Sequence, residues 1–159
     1  MKSLTLLKSL TVAAVMTISS FAFAVDNNIN VTQNDVAIHG YDPVSYFTKG
    51  KPTKGKSMFS ATHEGAIYQF ASESNRDMFR KNPTKFAPQF GGYCAMGVVL
   101  NQKLDVDPTA WYIEDKKLYL NLNKVVQKKW MEDVSGNIDT AERTWNGIEY
   151  VPAKTLADE

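Results

Sequence analysis

Residues 89–97, Q-F-G-G-Y-C-A-M-G, contain the only cysteine of the chain, Cys94. The two glycines before it allow a tight backbone approach that a Cβ would block. If a helix begins near Tyr93, the N–H groups of its first turn would stabilise a thiolate and lower the thiol pKa. Met96 adds a thioether, and a thiolate with a thioether is a donor pair that selects Cu(I). The pattern predicts a soft-metal ligand or a reactive thiol, with inert core packing as the alternative.

The histidines limit which other sites the chain can build. There are two, His39 and His63, so with a single cysteine the chain falls short of the four Cys and His ligands typical of structural zinc. His39 precedes a glycine in an irregular segment and is a candidate co-ligand, whereas His63 lies at a hairpin tip and is expected to face solvent. A Cys–His nucleophile would need a third residue to orient the histidine, and the sequence supplies none.

Hairpins and short helices are predicted around these residues. Apolar alternation about a turn predicts two hairpins, at 57–72 and 111–122. Residues 104–110 are expected to form a loop. Capping residues and prolines predict helices at 43–47, at 72–83 with Ser74 as cap, at 123–136 with an apolar stripe at spacing four, and from Asp139 onward. Without a regular βαβ alternation, the predicted fold is α+β, a small antiparallel sheet of hairpins packed with short helices.

The first 24 residues have the features of a secretory signal peptide. Lys2 and Lys8 come before an uncharged apolar run, which ends at Ala24 in the small-residue pattern A-F-A. The run is shorter than the ~20 residues of a membrane-spanning helix. We therefore expect export to the periplasm, with no membrane span after the signal is removed.

The composition limits the classes of binding partner to be expected, and the single cysteine limits the states that Cys94 can adopt. The formal net charge is +1 and no block of lysine or arginine stands out, so nucleic acid is not an expected partner. In an oxidising compartment, Cys94 must be buried, paired between chains, bound to a metal, or free and reactive. The predicted organisation is a signal peptide at 1–24, a polar tether at 25–37, one domain at 38–150 and a tail at 151–159.

Three segments in order resemble the YHS domain family, in its secreted single-domain branch. They are G-Y-D-P-V-S-Y-F at 40–47, the run from G-A-I-Y-Q-F to G-G-Y-C-A at 65–95, and P-T-A-W-Y-I-E-D-K-K-L-Y-L-N-L-N-K-V-V-Q-K-K-W at 108–130. The resemblance implies a small metal-binding module with the pattern D-P-V-C followed by F-C-S-x-x-C. Ser45, Ala71 and Asn75 stand at those three cysteine positions, so the family's ligand set does not carry over to this chain.

Three functions stay open on this basis. A metal-binding module would hold a soft ion, copper by preference, through Cys94 with His39 and Met96 as co-ligands. A thiol redox protein would use Cys94 through a sulfenic acid or a mixed disulfide. A non-enzymatic module would bind a small ligand or a protein partner in an apolar pocket. The aromatic residues expected to line such a pocket are Tyr41, Tyr46, Tyr93 and Trp111.

Overall fold

The computed structural model describes residues 28–157, which form a mixed α+β fold. In chain order its elements are α1 (Pro43–Lys49), β1 (Lys56–His63), β2 (Ala66–Phe70), α2 (Glu73–Lys81), α3 (Pro83–Phe86), α4 (Ala95–Val99), β3 (Asp107–Glu114), β4 (Lys117–Asn121), α5 (Lys124–Trp130), α6 (Val134–Ile148) and α7 (Ala153–Ala157). Two 3-10 turns, Ile38–Gly40 and Phe90–Gly92, also belong to the fold. The predicted class of short helices with antiparallel hairpins is confirmed.

Two antiparallel hairpins form the sheets of the described residues. β1 pairs with β2, and β3 pairs with β4, in two separate two-stranded sheets. The turn residues Glu64 and Gly65 in the first hairpin, and Asp115 and Lys116 in the second, all have positive φ, as the type I′ two-residue hairpin turn requires. Both predicted hairpins are confirmed. β3, however, begins at Asp107, inside the segment that was predicted to be a loop.

The N-cap of α2 differs from the predicted one. Ser72, rather than Ser74, accepts the N–H of Asn75 at 3.2 Å and so starts the helix. A side-chain oxygen at this position satisfies one of the N–H groups that lack a partner within the helix. Pro83 was predicted to end this helix, and it does lie beyond its end, but it also opens the short helix α3.

The single helix predicted over 123–136 is two helices in the structure. α5 ends at Trp130, and α6 begins after Asp133, which accepts the N–H of Gly136 at 3.0 Å. The Asp133 cap ends the predicted apolar stripe, because a cap residue takes non-helical backbone angles. Asp139, predicted as the cap of the last helix, lies within α6 instead.

Aromatic side chains build the first of two packed clusters. The rings of Tyr68 and Phe70 lie 4.8 Å and 5.1 Å from the ring of Phe79, which packs α2 onto the first hairpin. Tyr46 of α1 makes an edge contact with Trp111 of β3, with ring centroids 5.4 Å apart. This cluster therefore links the first hairpin to the second through α1.

The second cluster packs the C-terminal helices onto β4. Trp130 at the end of α5 is fully buried and its ring lies 5.4 Å from that of Tyr119. Ala141 of α6 and Val98 of α4 are also fully buried in this cluster. Buried aromatic rings contribute large apolar areas, so α4, α5 and α6 are fixed on one side of the second hairpin.

Both ends of the described range pack against the domain. Ile29, from the predicted tether, is 5% exposed, and Leu156, from the predicted tail, is 3% exposed. The side-chain amide of Gln102 donates to the carbonyl of Leu156 at 2.7 Å. Apolar residues thus draw parts of both segments into the core, while the predicted signal peptide lies outside the described residues. Within residues 28–157, no helix is long and apolar enough to cross a membrane.

Candidate functional site

Cys94 is fully buried at the N-cap of α4, where the two packed clusters meet. Its backbone N–H donates to the carbonyl of Leu104 at 2.9 Å. Its Sγ accepts the N–H of Gly97 at 3.3 Å and the N–H of Leu122 at 3.2 Å. Backbone groups from α4 and from the residue after β4 therefore hold the sulfur in one position.

The backbone before the cysteine explains its two glycines. Phe90, Gly91 and Gly92 have φ values of 54°, 60° and 77°, a region that residues with a Cβ rarely adopt. A Cβ on Gly91 would lie 1.7 Å from the carbonyl oxygen of Asn28. The N-terminal segment crosses at this point, and the N–H of Asn30 donates to the carbonyl of Gly91 at 2.9 Å. The predicted close backbone approach is thus made with the N-terminal segment.

Burial raises the pKa of the Cys94 thiol, although the N–H groups of Gly97, Leu122 and Met96 act in the opposite direction. The thiol also donates to Oδ1 of Asn121, at 3.9 Å. The predicted lowering of this pKa is wrong. α4 has only five residues and its first turn lies in the interior, so loss of hydration of the thiolate outweighs the helix N-terminus.

A cavity of about 350 Å³ opens beside Cys94. Apart from one lysine its lining residues are apolar: Cys94, Met96, Gly97, Leu100, Leu104, Leu122, Val126 and Lys129. Leu100 and Leu122 are 64% and 39% exposed, so apolar side chains also form its mouth. The volume lies in the range of small-molecule sites, roughly 300–1,000 Å³.

Met96 lies in the same cavity lining as Cys94. Its side chain is half-buried, and its backbone N–H donates to Oδ1 of Asn121 at 3.4 Å. Asn121, which is fully buried, therefore contacts both the thiol of Cys94 and the backbone of Met96. The structure brings these two predicted ligands to one place.

His39, the third predicted ligand, is held elsewhere. Its Nε2 lies 2.8 Å from Oδ1 of Asp105, and its side chain is 38% exposed. The same carboxylate oxygen accepts Nδ2 of Asn30 at 2.9 Å and the N–H of Val106 at 2.8 Å. Burial raises the pKa of Asp105. The three hydrogen-bond donors together lower this pKa by more than burial raises it, so the net shift is downward. His39 is not among the described residues that line the cavity beside Cys94.

The remaining histidine is partly buried. His63 ends β1, its side chain is 19% exposed, and its ring lies 5.9 Å from that of Phe79. The prediction that it faces solvent is wrong, because Phe79 provides an apolar surface on which the imidazole packs. Among residues 28–157, no group of three or more His, Cys, Asp or Glu side chains is placed to hold a metal ion.

A buried polar network occupies the three positions where the family resemblance expects cysteines. Asp42 is fully buried, and its Oδ1 accepts the N–H groups of Val44 at 2.9 Å and Ser45 at 3.3 Å. Its Oδ2 accepts the N–H of Ala71 at 2.8 Å and Nδ2 of Asn75 at 2.6 Å. Nδ2 of Asn75 also lies 3.4 Å from Oγ of Ser45. The three positions meet in space around Asp42, but their side chains are a hydroxyl, a methyl and an amide in place of thiolates.

The aromatic residues expected to line an apolar pocket belong to other parts of the molecule. Tyr46 is buried and donates its hydroxyl to the carbonyl of Pro108 at 2.8 Å. Tyr93 lies 6.2 Å from the ring of Trp145, and Tyr41 lies under Lys54 at 4.3 Å. In the described part of the chain, the lining of the cavity beside Cys94 contains no aromatic residue: it is made of aliphatic and sulfur-containing residues, one glycine and one lysine.

Two lining residues on α5 were not identified from the sequence. Val126 and Lys129 are three residues apart, so they lie on the same helix face. This spacing can be read from the sequence, but it indicates only that Val126 and Lys129 lie on one face of the helix. What the face covers depends on α4 and the segment around Leu104, which precede α5 by about twenty residues or more in the sequence.

Comparison with known proteins covers about a third of the described residues. The model of the YHS domain family matches residues 44–90, which contain α1 except for its first residue, the first hairpin, α2 and α3. Cys94, Met96 and the cavity follow the matched segment. No curated protein and no solved structure matches the chain, and the secreted single-domain branch stays a prediction. Residues 44–90 of this chain are therefore similar to a YHS domain.

Proposed function

We propose that the chain is a non-enzymatic binding module that takes a small apolar ligand in the cavity beside Cys94. The cavity itself carries the proposal, because it combines a volume of about 350 Å³ with an almost wholly apolar set of lining residues. Burying apolar surface gains roughly 25 cal/mol per Å². The exposed side chains of Leu100 and Leu122 at the mouth would add to that gain when a ligand covers them.

The environment of Cys94 favours binding over nucleophilic chemistry. The thiol is fully buried and its pKa is raised by burial, whereas a nucleophilic cysteine needs a thiolate at neutral pH. Asp105 holds His39 as a carboxylate would hold a catalytic histidine, but His39 is not among the described residues that line the Cys94 cavity. These contacts support a thiol that forms part of an apolar wall.

Adjacent valines on α5 provide a matched test. Val126 lines the cavity, while Val125 is 79% exposed and lies outside the lining. We expect 1-decanol to bind the full chain in calorimetric titration, with Val126→Phe weakening binding at least roughly tenfold by filling the cavity. Val125→Phe, the control, should bind like the wild type. Circular dichroism would show that both variants are folded, and unchanged binding by folded Val126→Phe would contradict the proposal.

Copper(I) binding is the second candidate function, favoured by the two sulfur residues in one cavity lining. A thiolate and a thioether are soft donors that suit Cu(I), and the N–H groups on Cys94 Sγ would stabilise the thiolate once its proton is displaced. The donors do not suit a four-ligand structural zinc site. Cys94 and Met96 would hold the ion, with His39 remaining on Asp105.

Substitutions of Cys94 and of two methionines separate copper binding from apolar ligand binding. Under anaerobic conditions, in competition with a Cu(I) chelator, Cys94→Ser should abolish binding and Met96→Leu should weaken it. Met131→Leu changes a half-exposed methionine outside the cavity and should have no effect. Cys94→Ser should still bind 1-decanol. Equal Cu(I) binding by the wild type and Cys94→Ser would exclude this site.

We also propose that the chain is exported to the periplasm. The proposal rests on the charged start, apolar run and A-F-A end of residues 1–24. Expression in a Gram-negative bacterium, followed by fractionation and mass spectrometry, should recover a protein that begins at Val25. Recovery in the cytoplasm with residues 1–24 attached would contradict it.

A further inference from the structure

We infer that the ligand of this cavity is an amphipathic acid, with an apolar chain inside the cavity and one anionic head group at Lys129. The inference rests on the proposed apolar ligand site and adds the chemical class of the ligand. It follows from the position of one lysine in a lining that is otherwise apolar.

Lys129 is placed to meet a head group at the surface. Its side chain is 64% exposed, and its Nζ lies 2.7 Å from Oε2 of Glu132, which is 57% exposed. The hydrogen bond with Glu132 raises the pKa of Lys129, so the ammonium group is charged at neutral pH. A lysine lays its methylene stem along apolar surface and keeps its charge in water, which fits a residue at the mouth of the cavity.

The existing partner of Lys129 does not exclude a ligand. An ion pair between two exposed side chains contributes little to stability, so an incoming carboxylate can share or replace Glu132. The ammonium group offers three N–H donors, and Oε2 of Glu132 accepts one of them. The ligand carboxylate can therefore be bound without removing a buried charge.

The charge of the surrounding helix selects an anionic head. α5 has the sequence K-V-V-Q-K-K-W, with three lysines and no acidic residue. Lys124 and Lys128 are exposed on the same helix. Two acidic residues, Glu132 and Asp133, follow the helix, so the three lysines leave a small positive excess, which favours an anion over a cationic head group. Together with the apolar mouth formed by Leu100 and Leu122, it fits a molecule with an apolar body and a single negative end.

Three probes with the same chain and different head groups test the inference. Decanoate, 1-decanol and decyltrimethylammonium are titrated into the full chain at neutral pH and low salt, below their aggregation concentrations. Decanoate should bind roughly two- to fivefold more tightly than 1-decanol, the factor expected for one ion pair with an exposed lysine. Decyltrimethylammonium should bind more weakly than either.

Two lysine variants locate the head group. Lys129→Gln should reduce decanoate affinity to that of 1-decanol and leave 1-decanol unchanged. Lys128→Gln, an exposed neighbour outside the cavity lining, should keep the preference for decanoate. Equal binding of decanoate and 1-decanol, or the same loss in both variants, overturns the anionic ligand while the apolar site stands. Binding of none of the three probes overturns the proposed function together with this inference.

Discussion

Asn75 donates its side-chain Nδ2 to the fully buried carboxylate of Asp42 at 2.6 Å. Asp42 is also the N-cap of α1, so one carboxylate joins the start of that helix to α2. Its second set of contacts, to the N–H of Ala71, extends the link to the residue after the first hairpin. A buried carboxylate that accepts several N–H groups in this way is stable only while its partners are present.

Removing the Asp42 carboxylate should strongly destabilise the fold. Asp42→Ala leaves the N–H groups of Val44 and Ala71 and the amide of Asn75 without their acceptor. Each buried donor left without an acceptor costs about 1–3 kcal/mol, so we expect a loss of about 3–5 kcal/mol in the free energy of unfolding, measured by urea denaturation followed by circular dichroism.

Asp133 provides a control of the same residue type and capping role. It accepts the N–H of Gly136 at the start of α6 but is exposed, so Asp133→Ala should cost only about 1 kcal/mol. The difference between the two variants measures what the buried network adds to an ordinary cap. Similar losses would show that the contacts to Ala71 and Asn75 contribute little.

The hairpins of this fold could be predicted from the sequence more reliably than the boundaries of its helices. The hairpins were predictable because alternation and turn residues are local features. The break between α5 and α6 was not, since a spacing-four stripe and the cap at Asp133 compete for the same residues. Likewise Ser74 and Ser72 are both acceptable caps by type, and only the packing of α2 selects Ser72.

The site was predictable in part for the same reason. Cys94 and Met96 are two residues apart, so their shared surroundings followed from the sequence. The pairing of His39 with Asp105 joins residues far apart in the chain, and no spacing rule indicates it. The direction of the Cys94 pKa shift also depends on burial by distant segments. The start of a helix can be predicted from neighbouring residues, but the loss of hydration of Cys94 depends on segments that are distant in the sequence.

Two glycines with nearly the same backbone separate strain from collision. Gly91 has φ 60° and Gly50 has φ 61°, but a Cβ on Gly50 would meet nothing within 4 Å, whereas one on Gly91 would lie 1.7 Å from the carbonyl oxygen of Asn28. Gly50→Ala should therefore lower the free energy of unfolding by about 1 kcal/mol, the strain of placing alanine in the left-handed region. Gly91→Ala should lose at least about 2 kcal/mol more in urea denaturation. Equal losses would mean that the N-terminal segment yields freely.

The thiol of Cys94 should react slowly in the folded protein. It is fully buried with a raised pKa, so at neutral pH both access and thiolate content are low. Iodoacetamide labelling of native protein should be slow and should accelerate only at a pH above the midpoint measured for the same protein in urea. A native midpoint below the midpoint in urea would instead support the redox function.

Lys103 should make stability depend on pH in the alkaline range. It is 5% exposed, and its Nζ donates to the carbonyls of Glu149 at 2.6 Å and Val151 at 2.8 Å. Burial lowers its pKa from 10.5 to about 8, against an opposing attraction from Glu149. Because the folded pKa lies below the unfolded one, the unfolded chain binds more protons between about pH 8 and 10.5. The contribution of Lys103 to the free energy of unfolding therefore rises with pH across that window.

The Lys103→Met variant isolates this contribution. It should be less stable than the wild type, since the two carbonyls lose their donor. It keeps Cys94 and the tyrosines, so their alkaline titration is common to both proteins. The free energy of unfolding of the wild type minus that of the variant, from urea denaturation, should increase from pH 8 to pH 10.5. A difference that stays constant or falls over that range would show that the buried ammonium keeps its proton as firmly as it does in the unfolded chain.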